Sequence, residues 1–428
     1  MTTVRRRRPA VLAAIAAAGL VCTAAPAAVA ASPSPSPSAA LPSGLYGAGD
    51  PTYDGVWRQS LALLAQDTVG VRPAAKAVDW LTGQQCDGGG FPSYRADATG
   101  DCDAQLPLDS NATAAAVQAL AALGGDGNDA AVDKGVAWLK SVQNEDGGWS
   151  YNPGGASDAN STSIVIGALA AAGEKPEAVT SKGGKTPYDA LLTFAQPCDA
   201  EEAGAFVYQP GTPGLVADST AAAVLGAHGA GLVATAGTAD AKGLTCAKAT
   251  SAEGAAHNGA VYLAKALAAT GHLDTPPMPG AENPEKKPDF GNTADAVVAL
   301  YAQGLGDQAE KPLKWLQQNA DAWAKENGPA AYAQLIFAAH AAGADPKSFG
   351  STDLVAALNA TGPAPEAASP QGSASASAEE KKDEDKDEDK DKNDDGSGLG
   401  PWWIVGVFFA ASVGVGFLLS GRKKNRQQ

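Results

Sequence analysis

Four short polar runs hold the residues of this chain that are best suited to chemistry. They read Asp109-Ser-Asn-Ala-Thr113, Asp158-Ala-Asn-Ser-Thr162, Asp218-Ser-Thr220 and Asn292-Thr-Ala-Asp295, and each one leads into an apolar stretch. Aspartate, serine and asparagine at the start of a helix satisfy free backbone N–H groups and oppose the helix dipole. Helix capping is therefore the first interpretation of each run. A binding site is the second interpretation, and it requires the runs to meet in space.

If the runs meet around one cavity, their carboxylates, amides and hydroxyls form a polar rim above an apolar wall. Such a rim suits a ligand that is largely uncharged and donates hydrogen bonds. We predict a ligand-binding set from the four runs, together with two tyrosines on the helices that follow: Asp109, Asn111, Asp158, Asn160, Thr162, Asp218, Thr220, Asn292, Asp295, Tyr301 and Tyr332. Core packing is the alternative for each tyrosine.

The sequence predicts neither a catalytic residue nor a metal site. It contains no G-x-S-x-G and no H-E-x-x-H motif, and its few histidines include His228 and His340 near the ends of predicted helices. There an imidazole that interacts with helix carbonyls is the simplest interpretation. One enzymatic alternative stays open, since two rim aspartates at a suitable distance would resemble the paired carboxylates of glycan-cleaving enzymes.

The elements that carry the runs repeat along the chain. Within residues 132–173, Val132, Val136, Leu139 and Val142 form one apolar helical face. A glycine-rich turn follows and ends at Trp149, whose ring can pack back on this helix. A second helix then begins near Asp158 and is apolar all round, which is typical of a buried helix. One unit is thus an outer helix, a turn and an inner helix.

This unit resembles the QW-type repeat of the terpene cyclase and protein prenyltransferase superfamily. The resemblance rests on Lys134-Gly135, Trp138-Leu139, Gln143 and the turn to Trp149, with a second copy from Lys76 to Phe91. Later copies are degraded, and the resemblance spans residues 46–361. It implies an α/α toroid, a ring of helical hairpins, and says little about activity.

Five hairpins follow from the pattern. The outer helices are predicted at 74–85, 132–143, 187–196, 253–268 and 311–323, and the inner helices that follow them at 109–123, 158–172, 218–230, 292–303 and 329–342. Two unpaired helices, 56–65 and 352–359, would form a sixth hairpin and close the ring. We therefore predict an all-α, α6/α6 toroid. An open helical solenoid is the structural alternative.

The two ends of the chain predict export and anchoring. Residues 1–30 read as a secretory signal peptide, 31–44 as a Pro/Ser linker, 45–362 as the toroid and 363–400 as a disordered charged stalk. Residues 401–420 read as a transmembrane helix and 421–428 as a basic cytoplasmic tail. The protein is thus expected at the cell surface, with the toroid outside.

Four cysteines lie beyond the signal peptide, and an even number in an exported chain favours two disulfides. Cys86 with Cys102 and Cys198 with Cys246 is one of three possible pairings. The formal net charge is −16. Such an acidic chain repels nucleic acid and is poorly suited to a polyprenyl diphosphate.

The catalytic motifs of the superfamily are missing. The acid motif of class II cyclases, D-x-D-D, has no counterpart beyond Asp101-Cys-Asp103, and the zinc ligands of the prenyltransferases are not recognisable. The toroid also resembles the transcobalamin and intrinsic-factor family of cobalamin carriers. That resemblance implies corrinoid contacts from Asp158, Thr162, Asp218 and Thr220, although the carriers' C-terminal lid domain is missing here.

The sequence therefore favours a membrane-anchored, non-catalytic toroid that captures a small amphipathic ligand for a membrane transporter. A corrinoid is the candidate ligand. An exported superfamily enzyme or glycan-acting toroid is the first alternative, and an envelope scaffold that binds proteins is the second.

Overall fold

The computed structural model describes residues 41–211, 216–238, 243–275 and 286–367. The predicted signal peptide, transmembrane helix and basic tail, and nearly all of the predicted stalk, lie outside these residues. Within the described ranges, no helix is both long enough and apolar enough to cross a membrane.

The described residues are mainly helical, which confirms the all-α prediction. In chain order the helices are α1 (Gly55–Thr68), α2 (Ala75–Gly83), α3 (Ser110–Leu123), α4 (Asp126–Ser141), α5 (Ala159–Ala171), α6 (Pro187–Phe194), α7 (Val216–Ala227), α8 (Ala252–Ala268), α9 (Phe290–Ala302), α10 (Gly306–Asn319), α11 (Asp321–Asn327), α12 (Pro329–Ala341) and α13 (Leu354–Asn359). Two antiparallel pairs of two-residue strands tie loops together: β1 (Phe91–Pro92) with β2 (Leu108–Asp109), and β3 (Leu273–Asp274) with β4 (Pro288–Asp289).

Six of the helices form a closed inner ring. Helix α1 packs on α3, α3 on α5, α5 on α7, α7 on α9, α9 on α12, and α12 returns to α1. An inner helix has neighbours on every side, so its sequence is apolar all round; in α5 every residue except Ala170 is buried. The ring therefore has no open end, in contrast to the solenoid alternative.

The outer helices pair differently from the sequence prediction. Helices α2, α4, α6, α8, α10 and α13 pack on the inner helices that precede them, α1, α3, α5, α7, α9 and α12. We had predicted pairing with the inner helix that follows, and a sixth hairpin between 56–65 and 352–359. The beginning and the end of the described helical domain do meet, since the Gln66 side chain donates to Asn359 Oδ1 at 2.7 Å and the Tyr46 hydroxyl donates to Pro363 O at 3.0 Å.

Two inner helices also begin earlier than predicted. Helix α7 starts at Val216 and α9 at Phe290, so Asp218 and Asn292 lie inside their helices rather than at the ends. The predicted outer helix 311–323 is in fact two helices, α10 and α11, and α10 continues through Pro312.

The two expected disulfides are present, and of the three possible pairings the observed one is Cys86–Cys102 with Cys198–Cys246. The first closes the loop between α2 and α3. The second ties the turn after α6 to the segment that precedes α8. The two bonds therefore fasten loops rather than the helical ring itself.

A repeated hydrogen bond fixes the start of each of four inner helices. The hydroxyls of Thr113, Thr162, Thr220 and Thr293 accept the backbone N–H of Phe91, Trp149, Phe206 and Leu273 at 2.8 to 3.1 Å. At the second of these turns the Trp149 ring is fully buried, and its Nε1 donates to Leu139 O at 2.8 Å. The predicted packing of this ring on the preceding outer helix is thus confirmed.

Candidate functional site

The first turns of the inner helices bring most of the predicted polar residues to one end of the ring. We call this region the acidic rim and define it as residues 109–113, 158–162, 216–220 and 289–295. Side chains bridge neighbouring helices here: Asn160 on α5 donates to Asp218 on α7, and Gln334 on α12 donates to Asp295 on α9. The second and third predicted runs are therefore joined directly, and the third lies near the fourth, since the charge of Asp218 acts on Asp295. The run 109–113 makes neither of these bridges.

Three rim aspartates are helix caps. Asp109 Oδ1 accepts the N–H groups of Asn111 and Ala112 at 2.8 and 2.9 Å, and Asp158 Oδ1 accepts that of Ser161 at 2.7 Å. Asp289 caps α9 in the same way through the N–H of Asn292, at 3.0 Å. For these three the capping interpretation holds, because the carboxylates satisfy backbone donors that the helix leaves free.

Asp218 and Asp295 are different, because neither caps a helix. Asp218 Oδ2 accepts one amide hydrogen from Asn160 at 3.2 Å, and both oxygens of Asp295 share the Gln334 amide at 3.0 and 3.2 Å. The two residues are only 3% and 1% exposed. These carboxyls are therefore buried without a backbone partner, which is the costly arrangement for such groups.

Burial raises the pKa of both carboxyls. Desolvation is the main cause of the raised pKa of Asp218, about 7, and the nearby charges of Asp289 and Asp158 add to it. The pKa of Asp295 is also raised well above its ordinary value, mainly by desolvation, with Asp218 and Asp289 adding to the effect. Desolvation brings the pKa of the capping residue Asp158 to about 6. The rim thus contains carboxyls that hold protons near neutral pH.

Buried polar atoms without a hydrogen-bond partner concentrate at this end of the ring. Among the described residues, six such atoms lie in the first turns of inner helices: Trp57 Nε1, Ser110 Oγ, Asn111 Oδ1, Asp218 Oδ1, Ser219 Oγ and Asn292 Oδ1. Arg95 Nε and Gln303 Nε2 are two such atoms elsewhere in the described residues. An unsatisfied buried polar atom is costly unless water or a ligand reaches it.

Other predicted site residues have different surroundings. The hydroxyls of Thr162 and Thr220 are used in the turns described above, so they hold the rim in place. Tyr332 lies in the first turn of α12 and is buried. Tyr301 lies at the last turn of α9, far along the helix from the rim, and its backbone carbonyl accepts the N–H of Gly237 at 2.9 Å.

The interior of the ring is crossed by a non-helical segment, residues 230–238, which we call the strap. Leu232 N donates to Gln118 Oε1 of α3, and Gly237 N donates to the end of α9. Since α3 and α9 are opposite members of the six-helix ring, the chain between these contacts must pass across it. Its residues Leu232, Val233 and Ala234 are buried in the core.

Gly167 on α5 allows this crossing. A Cβ atom placed on Gly167 would lie 2.2 Å from the Cα of Gly231 in the strap, so only glycine fits there. The strap lies in the C-terminal half of the ring, since Gln118 is in the later turns of α3 and Tyr301 ends α9. The strap therefore blocks a ligand that enters the ring from the rim from passing through to the other end.

An open cleft of about 460 Å³ lies at the other end, beside the last turns of α1 and α3. It is lined by Asp67, Arg72, Asp79 and Glu366 among others, and Arg72 pairs with Glu366 at 2.7 Å. No rim residue contributes to it. In the described part of the chain no group of histidine, cysteine or acidic residues has the arrangement of a metal site.

The family comparison agrees with the helical repeat. The family model for the squalene-hopene cyclase C-terminal domain matches residues 110–186, which run from the start of α3 to the residue before α6. This match confirms the resemblance to the terpene cyclase-like α/α toroid superfamily. The resemblance to cobalamin carriers stays a prediction.

This chain is similar to a crystal structure of a protein from Actinoplanes. The alignment covers 70% of this chain and 94% of the Actinoplanes chain, with 15% sequence identity and a TM-score of 0.44. No curated protein is significantly similar to this chain.

Several residues in the rim or on the helices beside it were not predicted from the sequence. Asp289 lies four residues before Thr293, the same spacing as Asp109 to Thr113, and this signal could have identified it. Ser219 lies inside a predicted run but is not among the predicted ligand-binding residues. Gln334 and Trp57 carry no local signal, because their importance depends on the helices that lie beside them.

Proposed function

We propose that this protein is an exported, membrane-anchored toroid that captures a small ligand at the acidic rim and does not transform it. The observation that carries the proposal is the set of six unpaired buried polar atoms in the first turns of four inner helices. Three of them are amide or carboxyl oxygens, on Asn111, Asp218 and Asn292. The complementary ligand offers N–H or O–H groups.

A corrinoid meets this requirement, because its side-chain amides are neutral hydrogen-bond donors. The strap argues for binding on the rim rather than inside the ring, since Leu232, Val233 and Ala234 occupy the core there. An enzyme of the cyclase type encloses an apolar substrate, and the filled ring makes that alternative less favourable. Capture at the surface would be followed by transfer to a membrane transporter.

Thermal unfolding with cyanocobalamin tests this proposal. A ligand that binds the native state stabilises it by RT ln(1 + [L]/Kd), about 2.7 kcal/mol when its concentration is 100 times Kd. We expect such a shift for the wild type and a smaller one for Ser219→Ala, which removes an unpaired rim hydroxyl. Asp353→Asn is the matched control, because Asp353 caps the outer helix α13 and asparagine caps equally well.

Three results would contradict parts of the proposal. Turnover of an added ligand would contradict the non-catalytic role. An equal shift in Ser219→Ala and wild type would move the site away from the rim. No shift up to millimolar cyanocobalamin would exclude the corrinoid as the captured ligand.

A further inference from the structure

The two rim carboxyls that do not cap helices lie on neighbouring inner helices. Asp218 is in the first turn of α7 and Asp295 in the second turn of α9. Each accepts hydrogen only from one neutral amide, that of Asn160 or Gln334. One oxygen of Asp218 has no partner at all, although the residue is 3% exposed. A buried carboxylate in this state needs a proton or a positive charge.

No side chain of the described residues supplies that positive charge. The ion pairs there involve Arg58, Arg72, His272 and several exposed lysines, and none reaches Asp158, Asp218, Asp289 or Asp295. Asp218 is within electrostatic range of Asp158 and Asp289, and Asp295 is within range of Asp218 and Asp289. Breaking or omitting the partner of a buried charge is strongly unfavourable. The charge balance of the rim is therefore incomplete.

Three unpaired acceptor atoms in the first turns of α7 and α9 are suited to one kind of cation. Asp218 Oδ1 and Ser219 Oγ on α7 and Asn292 Oδ1 on α9 all accept hydrogen bonds, and none of the three has a partner. A primary ammonium group donates three hydrogen bonds and accepts none. A metal ion suits the site less well, because the described residues form no metal-type cluster.

We propose that the acidic rim binds the ammonium group of a small organic amine between α7 and α9, with Asp218 as its direct partner. This inference rests on the proposed function of the rim as a capture site and names an organic amine, in place of the corrinoid, as the captured ligand. In the free protein a proton takes the place of the amine. Binding of the amine therefore releases that proton to solvent.

The groups that face Asp218 determine how binding depends on pH. They are Asp158 at the start of α5, Asp289 just before α9, Asp295 on α9, and the Tyr208 hydroxyl. The charges of Asp158 and Asp218 both raise the pKa of Tyr208. Burial, Asp289 and Asp158 raise the pKa of Asp218 and so oppose its ionisation. An amine that needs the ionised carboxylate must bind more tightly as the pH rises through neutrality, while the amine itself stays protonated.

Calorimetric titration of the whole protein with putrescine tests the inference, with 1,4-butanediol as the uncharged analogue. For a carboxyl of pKa about 7, the ionised fraction rises about 30-fold between pH 5.5 and pH 8.0. We expect the association constant of putrescine to rise by a similar factor. Asp218→Asn should lower it at least tenfold at pH 8.0, and Asp353→Asn should leave it unchanged. Butanediol should not bind.

Retained binding of putrescine by Asp218→Asn would overturn the inference, and so would equal binding of butanediol. The melting temperature of Asp218→Asn shows that the variant is folded, so loss of binding cannot be assigned to unfolding. If cyanocobalamin stabilises the wild type and putrescine does not bind, the amine inference fails and the capture site stands. If neither binds, both proposals fail.

Discussion

Replacing Asp218 by asparagine should stabilise the protein, and more strongly as the pH rises. Burial raises the pKa of this carboxyl from 3.8 to about 7, so the native state binds the proton more tightly than the unfolded chain. The contribution of such a group to stability is fully present below its pKa in the unfolded chain, and it is lost as the pH rises through its pKa in the folded protein. Asparagine keeps the shape of the side chain and cannot ionise.

The two pKa values set the size of the effect. With 1.36 kcal/mol for each pKa unit, the ionisable carboxyl costs about 2 kcal/mol at pH 5.5 and about 4 kcal/mol at pH 8.0. Asp218→Asn should remove these penalties. For a domain of this size the gain at pH 8.0 corresponds to roughly 6 °C in melting temperature.

The assay is urea unfolding of Asp218→Asn and wild type at pH 5.5 and pH 8.0, with Asp353→Asn as the control. The difference in unfolding free energy between variant and wild type should grow with pH. A variant that is less stable than wild type at pH 8.0 would refute the argument. A difference in unfolding free energy that is the same at both pH values would also refute the argument, because burial of the charged carboxylate would then not be the origin of the difference.

Three further changes test the fold. Trp149→Phe keeps an aromatic ring but loses the bond from Nε1 to Leu139 O, and should cost about 1 kcal/mol in urea unfolding; unchanged stability would show that this bond contributes nothing. Gly167→Ala brings a methyl group to 2.2 Å from the Cα of Gly231 in the strap. This change should lower the free energy of unfolding by about 1–3 kcal/mol and speed proteolysis of residues 230–238. A strap that resists proteolysis as well as in wild type would contradict the crossing. The cysteines are 48 residues apart in Cys198–Cys246 and 16 apart in Cys86–Cys102. Replacing Cys198 and Cys246 by serine should therefore cost about 1 kcal/mol more stability than replacing Cys86 and Cys102; the reverse order would count against the loop-entropy explanation.

The helical repeat was predictable because its signals are local. The spacing of Val132, Val136 and Leu139, the glycine turn to Trp149 and the apolar inner stretch each depend on residues within one hairpin. The choice of partner for each outer helix was not local, and that prediction was wrong. An amphipathic helix such as α4 shows which face is buried, but not whether the inner helix before it or after it covers that face.

The candidate site was predictable in outline only. The Asp-x-x-x-Thr spacing identified Asp109 and Asp158, whose roles are set by their own helix starts. Asp218 looked like a third cap, and its distinct state depends on Asn160 and Asp295 from neighbouring helices. The strap gave no recognisable signal, since a short run such as Leu232-Val233-Ala234 is equally typical of a loop.

Hydrogen–deuterium exchange of the native protein, with and without saturating putrescine or cyanocobalamin, tests the central claim most directly. Backbone amides that a ligand shields or immobilises exchange more slowly. We predict slower exchange at 216–220 and 289–295 in the acidic rim, and no change at the cleft beside Arg72 and Glu366. Protection confined to that cleft, or to the strap, would contradict a binding site at the rim.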